Sequence, residues 1–487
     1  MRIGKLLLMM CLVGSMLGAC ATKKETVDLL TIAISEQPNS LVPTRLEGRE
    51  AGFVQAQLFE TLIQYSDKEF VPLLAEGLPV CDESGTKCVV SLKSGITFHD
   101  GTTFDSTSVV YSLMHLIEAQ STDWTDSIKE VKALDATHVE ISMNYPDGTL
   151  FSKLANPMFA MIPADSDENA KLDEFPIGTG PYKFVSGGKN KTIKLTRYDN
   201  YHGEKALIGE VAIVKTEIND ALTKLRDGEV QIVLDVPFDA EDELNALEDV
   251  KWVQGDTSAT AYLGIRMQSM ANPKLEKAAF RTDLMSAIDV DALASTFGSR
   301  KIDNLFGHGV FGDSAIELDF GNTSDAWKGE TILLVTPTFP SDFPLGTEIK
   351  DALTAMGYNK VTLSEVAQSD YATALAAEKS FDLTVFVWEY ALADGGDFLD
   401  AMMGVDAINP LRIQHPEIDA LLLSANRSVD PALRKDALMR IEEILVEEGV
   451  LLPLTKVVRH HALSARLTDP SFLSDGAIRI SNLAFSE

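Results

Sequence analysis

From residue 28 to residue 487 the sequence alternates short strand signals with amphipathic helical stretches, and no repeat, low-complexity block or long linker interrupts it. That alternation constrains the fold more than any other feature, because interleaved strands and helices bury their apolar faces as packed α/β layers. Strand signals fall at Asp28–Ile34, Cys88–Leu92, Val139–Met143, Thr192–Tyr198, Val211–Thr216, Ile232–Leu234, Ala261–Arg266, Thr331–Val335, Val361–Ser364 and Leu383–Val387. The stretch Thr107–Gln120 puts Val109, Leu113, Leu116 and Ile117 on one helical face, with Asp105 or Ser106 as its cap. Pro431–Glu447 turns Leu433, Ala437, Ile441, Ile444 and Leu445 inward, and Thr347–Met356 stops at Gly357, a residue suited to a left-handed helix end. The expected fold class is α/β with mixed sheets. Hydrophobic residues make up 45% of the chain, which is enough to fill a core of that kind.

The charge balance removes two classes of partner. Lys and Arg number 42 against 73 Asp and Glu, a formal net charge of −31, and no basic stripe follows residue 24. Nucleic acid needs clustered cations against its phosphates, and anionic lipid needs a polybasic patch.

The N-terminus sets the compartment. Arg2 and Lys5 precede an apolar run, Leu6 to Leu17, of signal-peptide length and too short to span a bilayer. The run ends in Leu17-Gly18-Ala19-Cys20, which resembles a bacterial lipobox. The resemblance implies that residues 1–19 are a signal peptide, that Cys20 is lipidated as the first residue of the processed chain, and that residues 20–27 form a tether. Each buried methylene of an acyl chain contributes about 0.8 kcal/mol, so two or three chains hold a protein to a membrane. Cys11 leaves with the signal. Cys81 and Cys88 remain, placed symmetrically about a polar turn containing Gly85, and they read as a hairpin disulfide in an exported chain. A zinc site would need further soft ligands nearby, and none occurs.

Several stretches then resemble one family. Leu58 to Ile63 with Val71 to Glu76 is the first, and Leu92-Lys93-Ser94-Gly95-Ile96-Thr97-Phe98-His99-Asp100-Gly101-Thr102 the most diagnostic. Pro176 to Phe184, Tyr198 to Gly203, Leu225 to Val230, Tyr262 to Ile265, Ala287 to Asp289 and Leu452-Pro453-Leu454 follow in order. Together they are similar to the family 5 extracytoplasmic solute-binding proteins of ABC transporters, the oligopeptide, dipeptide and nickel receptor group. The resemblance implies a two-lobed periplasmic-binding-protein-like fold with an extra inserted domain. The first lobe would combine residues 28–45, 177–260 and 471–487, the inserted domain would be 46–176 and the second lobe 261–470. It also implies a receptor, not an enzyme: a monomer, held to the membrane by its lipid, that closes on a peptide or related small solute and delivers it to an ABC permease. No cofactor, metal site or catalytic residue is expected. A non-peptide solute (carboxylate, saccharide or metal chelate) or an envelope hydrolase are the other readings.

The same resemblance places the ligand beside Trp388 and Tyr390. Peptide receptors of the family carry an Asp for the α-ammonium three residues after that Trp; here Ala391 occupies the position. A buried ammonium without a counter-charge costs several kcal/mol, so Glu389, Asp394 or Asp397 substitutes, or the ligand has no amine there. Asp394 is carried as a ligand-binding candidate. Arg266 replaces a frequent Asn and suits a carboxylate or phosphate, its alternative being a surface or hinge ion pair. Glu36 follows the first strand, where the family's ligand loop lies; its alternative is a solvated loop carboxylate. His99 beside Asp100-Gly101 reads as a turn histidine able to bond Asp100, and His460-His461, adjacent in a strand, point to opposite faces.

Overall fold

The computed structural model describes residues 29–486, except 46–47, 67, 121, 165–171, 189–190, 303, 314, 316–319, 321–323, 340–342, 377–380, 405–408 and 474. The expected signal peptide, the expected lipidation site Cys20 and the expected tether lie outside the described residues.

The strands are β1 Leu29–Ile34, β2 Ile63–Ser66, β3 Glu69–Pro72, β4 Val80–Cys81, β5 Lys87–Ser91, β6 Ile128–Asp135, β7 His138–Met143 and β8 Tyr182–Ser186. There follow β9 Ile193–Arg197, β10 Glu210–Lys215, β11 Ile232–Val233, β12 Val250–Ile265, β13 Thr331–Pro337, β14 Lys360–Val366, β15 Leu383–Trp388 and β16 Leu451–Ser464. Ten of them make one mixed sheet in the order β14-β13-β15-β12-β16-β11-β1-β10-β9-β8. This matches the expected α/β class with mixed sheets.

The two long central strands join the halves of that sheet. The N-terminal part of β12 pairs Val250 to Asp256 with Ser464 to Val458 of β16, and there β16 also pairs with β11 through Leu463 and Ala462. The C-terminal part of β12 pairs with the other end of β16 and with β15. A register shift between Asp256 and Thr260 separates the two parts, a bulge of the kind that bends a strand. Residues 462–463, which the resemblance puts in the second lobe, therefore pair within the half that holds β1.

Each half has its own core. Leu30, Ile32, Val42, Phe53, Tyr182, Ile213 and Ile478 pack in one half, and Leu263, Phe280, Leu334, Leu383 and Leu452 in the other. Between β1 and β8 the chain builds a third unit, with its own core of Leu62, Leu74, Val90, Phe98, Leu113, Val139 and Leu154. It holds the four-stranded sheet β4-β5-β7-β6 and the hairpin β2-β3. Cys81 and Cys88 lie opposite each other on β4 and β5 and are bonded as a disulfide.

The helices form where caps and apolar spacing direct them. Ser106–Ala119 starts after Asp105, whose carboxylate accepts from Thr107 N and Ser108 N. Pro431–Glu447 starts after Asp430, with proline where the missing N–H costs nothing. Within it Ala437, Ile441, Ile444 and Leu445 are buried, but Leu433 is exposed, since it lies in the first turn beyond the reach of the core. Leu345–Ala355 ends before Gly357, at φ 99°. No helix among the described residues is long and apolar enough to cross a membrane.

His99 differs from expectation. Its ring does not bond Asp100; Nδ1 accepts from Gly178 N (3.2 Å) and Nε2 donates to Gly180 O (3.0 Å), because burial brings the ring against the glycine run instead. Gly178 and Gly180 are required by close approach: a Cβ on Gly178 would lie 2.0 Å from Leu58 O.

Candidate functional site

In an open sheet with parallel strands, ligands bind beyond the carboxyl ends of the strands, where the topology changes. β1 runs parallel to both β10 and β11, and β13 runs parallel to both β14 and β15. Pairing with β12 and β16 aims the carboxyl ends of both sets at the bulge where the halves meet: Trp388, last in β15, faces Thr260, and Val233 in β11 faces Ala462. The residues that follow these strand ends therefore converge on the place where the halves meet.

On the β1 side, Ser35, Glu36 and Gln37 leave β1. Glu36 is exposed and pairs with Lys215 at the end of β10, Nζ to Oε2 2.9 Å. Ser35 Oγ donates to Glu50 at 3.0 Å. Asp235, two residues past β11, holds φ 54° and takes a two-point ion pair from Arg459 of β16 at 2.7 and 2.6 Å. Burial alone would raise its carboxyl, but the Arg459 guanidinium outweighs that and holds it below the usual range. Sequence reasoning passed over Asp235, although the strand signal ending at Leu234 already placed it at a carboxyl end.

On the other side Trp388 is half-buried, its ring edge-on to Phe398 with centroids 5.2 Å apart. Its Nε1 is shielded from solvent and has no hydrogen-bond partner among the described residues. A buried indole N–H ordinarily finds an acceptor, which makes Trp388 an exception among the described residues. Glu389 and Ala391 are exposed beside it.

Three candidates sit elsewhere than expected. Tyr390 is 3% exposed and its hydroxyl bonds the Tyr262 hydroxyl, with burial pushing the phenol up; it is a core residue supporting the site. Asp394 is fully buried. It caps the helix Gly395–Met403 through Gly396 N and Asp397 N, takes both guanidinium nitrogens of Arg434, and accepts from Ser152 Oγ. With its lone pairs committed, it is unavailable to a ligand amine. Arg266 is 2% exposed at the far end of β12, six residues beyond Thr260, which is about 20 Å along an extended strand. Its backbone N donates to Asp382 O and its guanidinium lies 4.9 Å from the Phe381 ring, so it belongs to the far wall of that half and not to the gap or the hinge. Of the expected ligand residues, Trp388 ends β15 and Glu36 follows β1, so both stand at strand carboxyl ends.

His460 and His461 do point apart. His460 stacks on Trp252 and His461 Nε2 donates to Gly476 O at 2.9 Å. Among the described residues no three metal-ligating side chains cluster.

The chain is similar to known proteins along most of its length. Residues 69–409 match the family described as bacterial extracellular solute-binding proteins, family 5, middle region. The glutathione-binding protein GsiB of Pectobacterium atrosepticum is 25% identical over 275 residues, 54% of this chain and 52% of that protein, so the chain spans about half the length of that relative. The peptide transport periplasmic protein SapA of Salmonella typhimurium is 23% identical, over 88% of this chain and 87% of its own. Among solved structures, HbpA2 of Haemophilus parasuis superposes with a TM-score of 0.83 at 18% identity, covering 94% of this chain and all of that one, a likeness of fold. With the match running through most of the chain, this protein belongs to the family 5 bacterial extracellular solute-binding proteins.

Proposed function

We propose that this chain is the extracytoplasmic receptor of an ABC importer, which captures a small solute between the two halves of its sheet and closes on it without covalent chemistry. The observation that carries the reading is the convergence of strand ends: two sets face one bulged pair of crossing strands, and the Trp388 N–H there has no acceptor among the described residues. A bulged two-strand connection favours hinge closure, and closure is a form a permease can read. In this scheme residues 28–45, 177–260 and 471–487, joined by 462–463, act as the first lobe, residues 46–176 as its inserted domain, and most of 261–470 as the second. Cys20 anchors the receptor by lipid to the outer side of a membrane, and it works as a monomer.

A peptide-like solute is the leading ligand, because the relatives named above are called peptide and glutathione binders. Ala391 supplies no counter-charge for an ammonium and Asp394 is committed to Arg434, which leaves the exposed Glu389 and the half-buried Asp397 of the carboxylates considered. A neutral or N-blocked solute is the second reading.

The test is thermal unfolding with glutathione, di- to pentapeptides with free or acetylated N-termini, sugars and nickel–histidine complexes. A ligand at 100 times its Kd adds about 2.7 kcal/mol to stability. A rise in Tm with peptides and no turnover supports the reading; hydrolysis of the ligand sinks it.

A further inference from the structure

Two of the stretches that resemble the family supply no residue to the strand-end site. Leu92 to Thr102 and Tyr198 to Gly203 meet instead at the seam between the third unit and the half that holds β8, β9 and β10. There the Tyr198 hydroxyl donates to Phe98 O at 2.8 Å. The buried Glu60 takes the Tyr201 hydroxyl and His202 Nε2, each at 2.8 Å. Beside this seam lies a cavity of about 480 Å³, lined by Glu76, Leu92, Lys93, Ser94, Ile96 and His202.

The lining carries opposite charges that do not cancel each other. Ala75 bridges Leu92, with Glu76 N donating to Ser91 O at 2.8 Å and Lys93 N donating to Leu74 O at 3.0 Å. Glu76 thus stands opposite Ser91 and diagonal to Lys93, a separation of about 7–8 Å in a ladder. Among the described residues, neither the Glu76 carboxylate, the Lys93 ammonium nor the Ser94 hydroxyl makes a hydrogen bond or ion pair. His202 is held more firmly. A carboxylate only accepts, so Glu60 keeps the proton on Nε2, and the neutral ring presents Nδ1 as an acceptor. That Nδ1 has no partner among the described residues either. Leu92 and Ile96 are buried and form the apolar part of the lining.

We propose that this cavity binds a small zwitterion of the α-amino-acid class, at a site separate from the strand ends. The ligand's ammonium meets Glu76 and His202 Nδ1, its carboxylate meets Lys93 and Ser94 Oγ, and an apolar side chain lies on Leu92 and Ile96. A ligand with one charge is disfavoured from either direction: a lone amine faces Lys93 and a lone carboxylate faces Glu76. The walls belong to the third unit and to the β9–β10 connection, so the site does not require a solute beside Trp388. Its occupant would touch both sides of the seam, and would stabilise it by mass action.

The test is calorimetric titration of the purified chain with glycine, alanine, leucine and phenylalanine. N-acetyl-leucine and leucinamide, each lacking one of the two charges, are titrated beside them. Leucine should bind at one site per chain, more tightly than glycine and at least tenfold more tightly than either blocked form. Glu76→Gln should remove the preference for leucine over N-acetyl-leucine, and Lys93→Gln the preference over leucinamide. Each change should act on its own blocked form and not on the other, which a loss of folding would not do. Glu76 is exposed and Lys93 half-buried, and substitutions at such positions ordinarily leave a fold intact. No heat with any free amino acid, or leucine binding that both variants leave unchanged, overturns the proposal. Glu76→Gln should not alter the response to peptides at the strand ends, so failure here and failure of the receptor reading are separate results.

Discussion

Arg434 and Asp394 meet as a two-point ion pair at 2.7 and 2.6 Å, and neither side chain reaches solvent. Breaking a buried pair from one side is costly, because the remaining charge stays buried alone. Arg434→Met should lower stability by about 3–5 kcal/mol in denaturant unfolding. Adding Asp394→Asn, which keeps the helix cap and removes the orphan charge, should recover part of that loss. A double variant less stable than the single one would contradict the account.

Asp397 makes stability fall as pH rises. Burial, and then the neighbouring Asp394, raise its carboxyl to about 6, with Lys153 opposing. A raised carboxyl contributes its full stability below the unfolded value near 4 and loses it as pH climbs to about 6. Asp397→Asn should therefore be more stable than the native chain at pH 7.5, by on the order of 2 kcal/mol, with no gain at pH 4. Urea midpoints at the two pH values decide it.

His99 works in the opposite direction. Burial lowers its ring to about 4, so it folds neutral, and its share of stability is lost as pH falls from 6.5 to about 4. His99→Ala should cost about 2–3 kcal/mol at pH 7.5, by leaving Gly178 N and Gly180 O without partners. The variant should also show a shallower loss across that pH range. His461, lowered to about 4 by burial, keeps its own loss in both proteins.

Gly178→Ala should destabilise by more than a surface change can, about 2 kcal/mol or more, because the new Cβ meets the Leu58 carbonyl. Gly188→Ala, at φ 125° with nothing within 4 Å among the described residues, carries backbone strain of about 1 kcal/mol. Thermal midpoints of the two should separate clearly.

Trp388→Phe tests the binding site. The ring contact with Phe398 survives, so the unliganded midpoint should stay near native, while loss of the N–H should weaken the best ligand from screening about tenfold by calorimetry. Unchanged affinity would remove Trp388 from the site.

Much of this fold could be read from residues alone, for local reasons. Pro431–Glu447 was legible to the residue because Asp430 and Pro431 mark its start. The strand signal Leu383–Val387 found β15 and stopped one residue short of Trp388, its last residue. The reading failed where partners are distant. β12 begins at Val250, but Lys251, Gln254 and Asp256 hide its first part behind a polar pattern, since that part pairs with β16 in a half-buried stretch. Arg266 was placed at the cleft by the resemblance alone, and it lies at the far end of β12. Asp394 could not be assigned without Arg434, which stands 40 residues away in sequence.

The order of strands in the large sheet also governs how the protein is made. β1 sits beside β11, whose other neighbour is Leu463-Ala462 of β16. A chain emerging N-terminus first, from a ribosome or through a secretion channel, cannot complete its first domain until almost the last residue is out. Contacts so far apart along the chain form slowly. Completion of that half therefore waits on the C-terminal strand, whereas the unit holding β4-β5-β7-β6 and the disulfide, with a core of its own, does not.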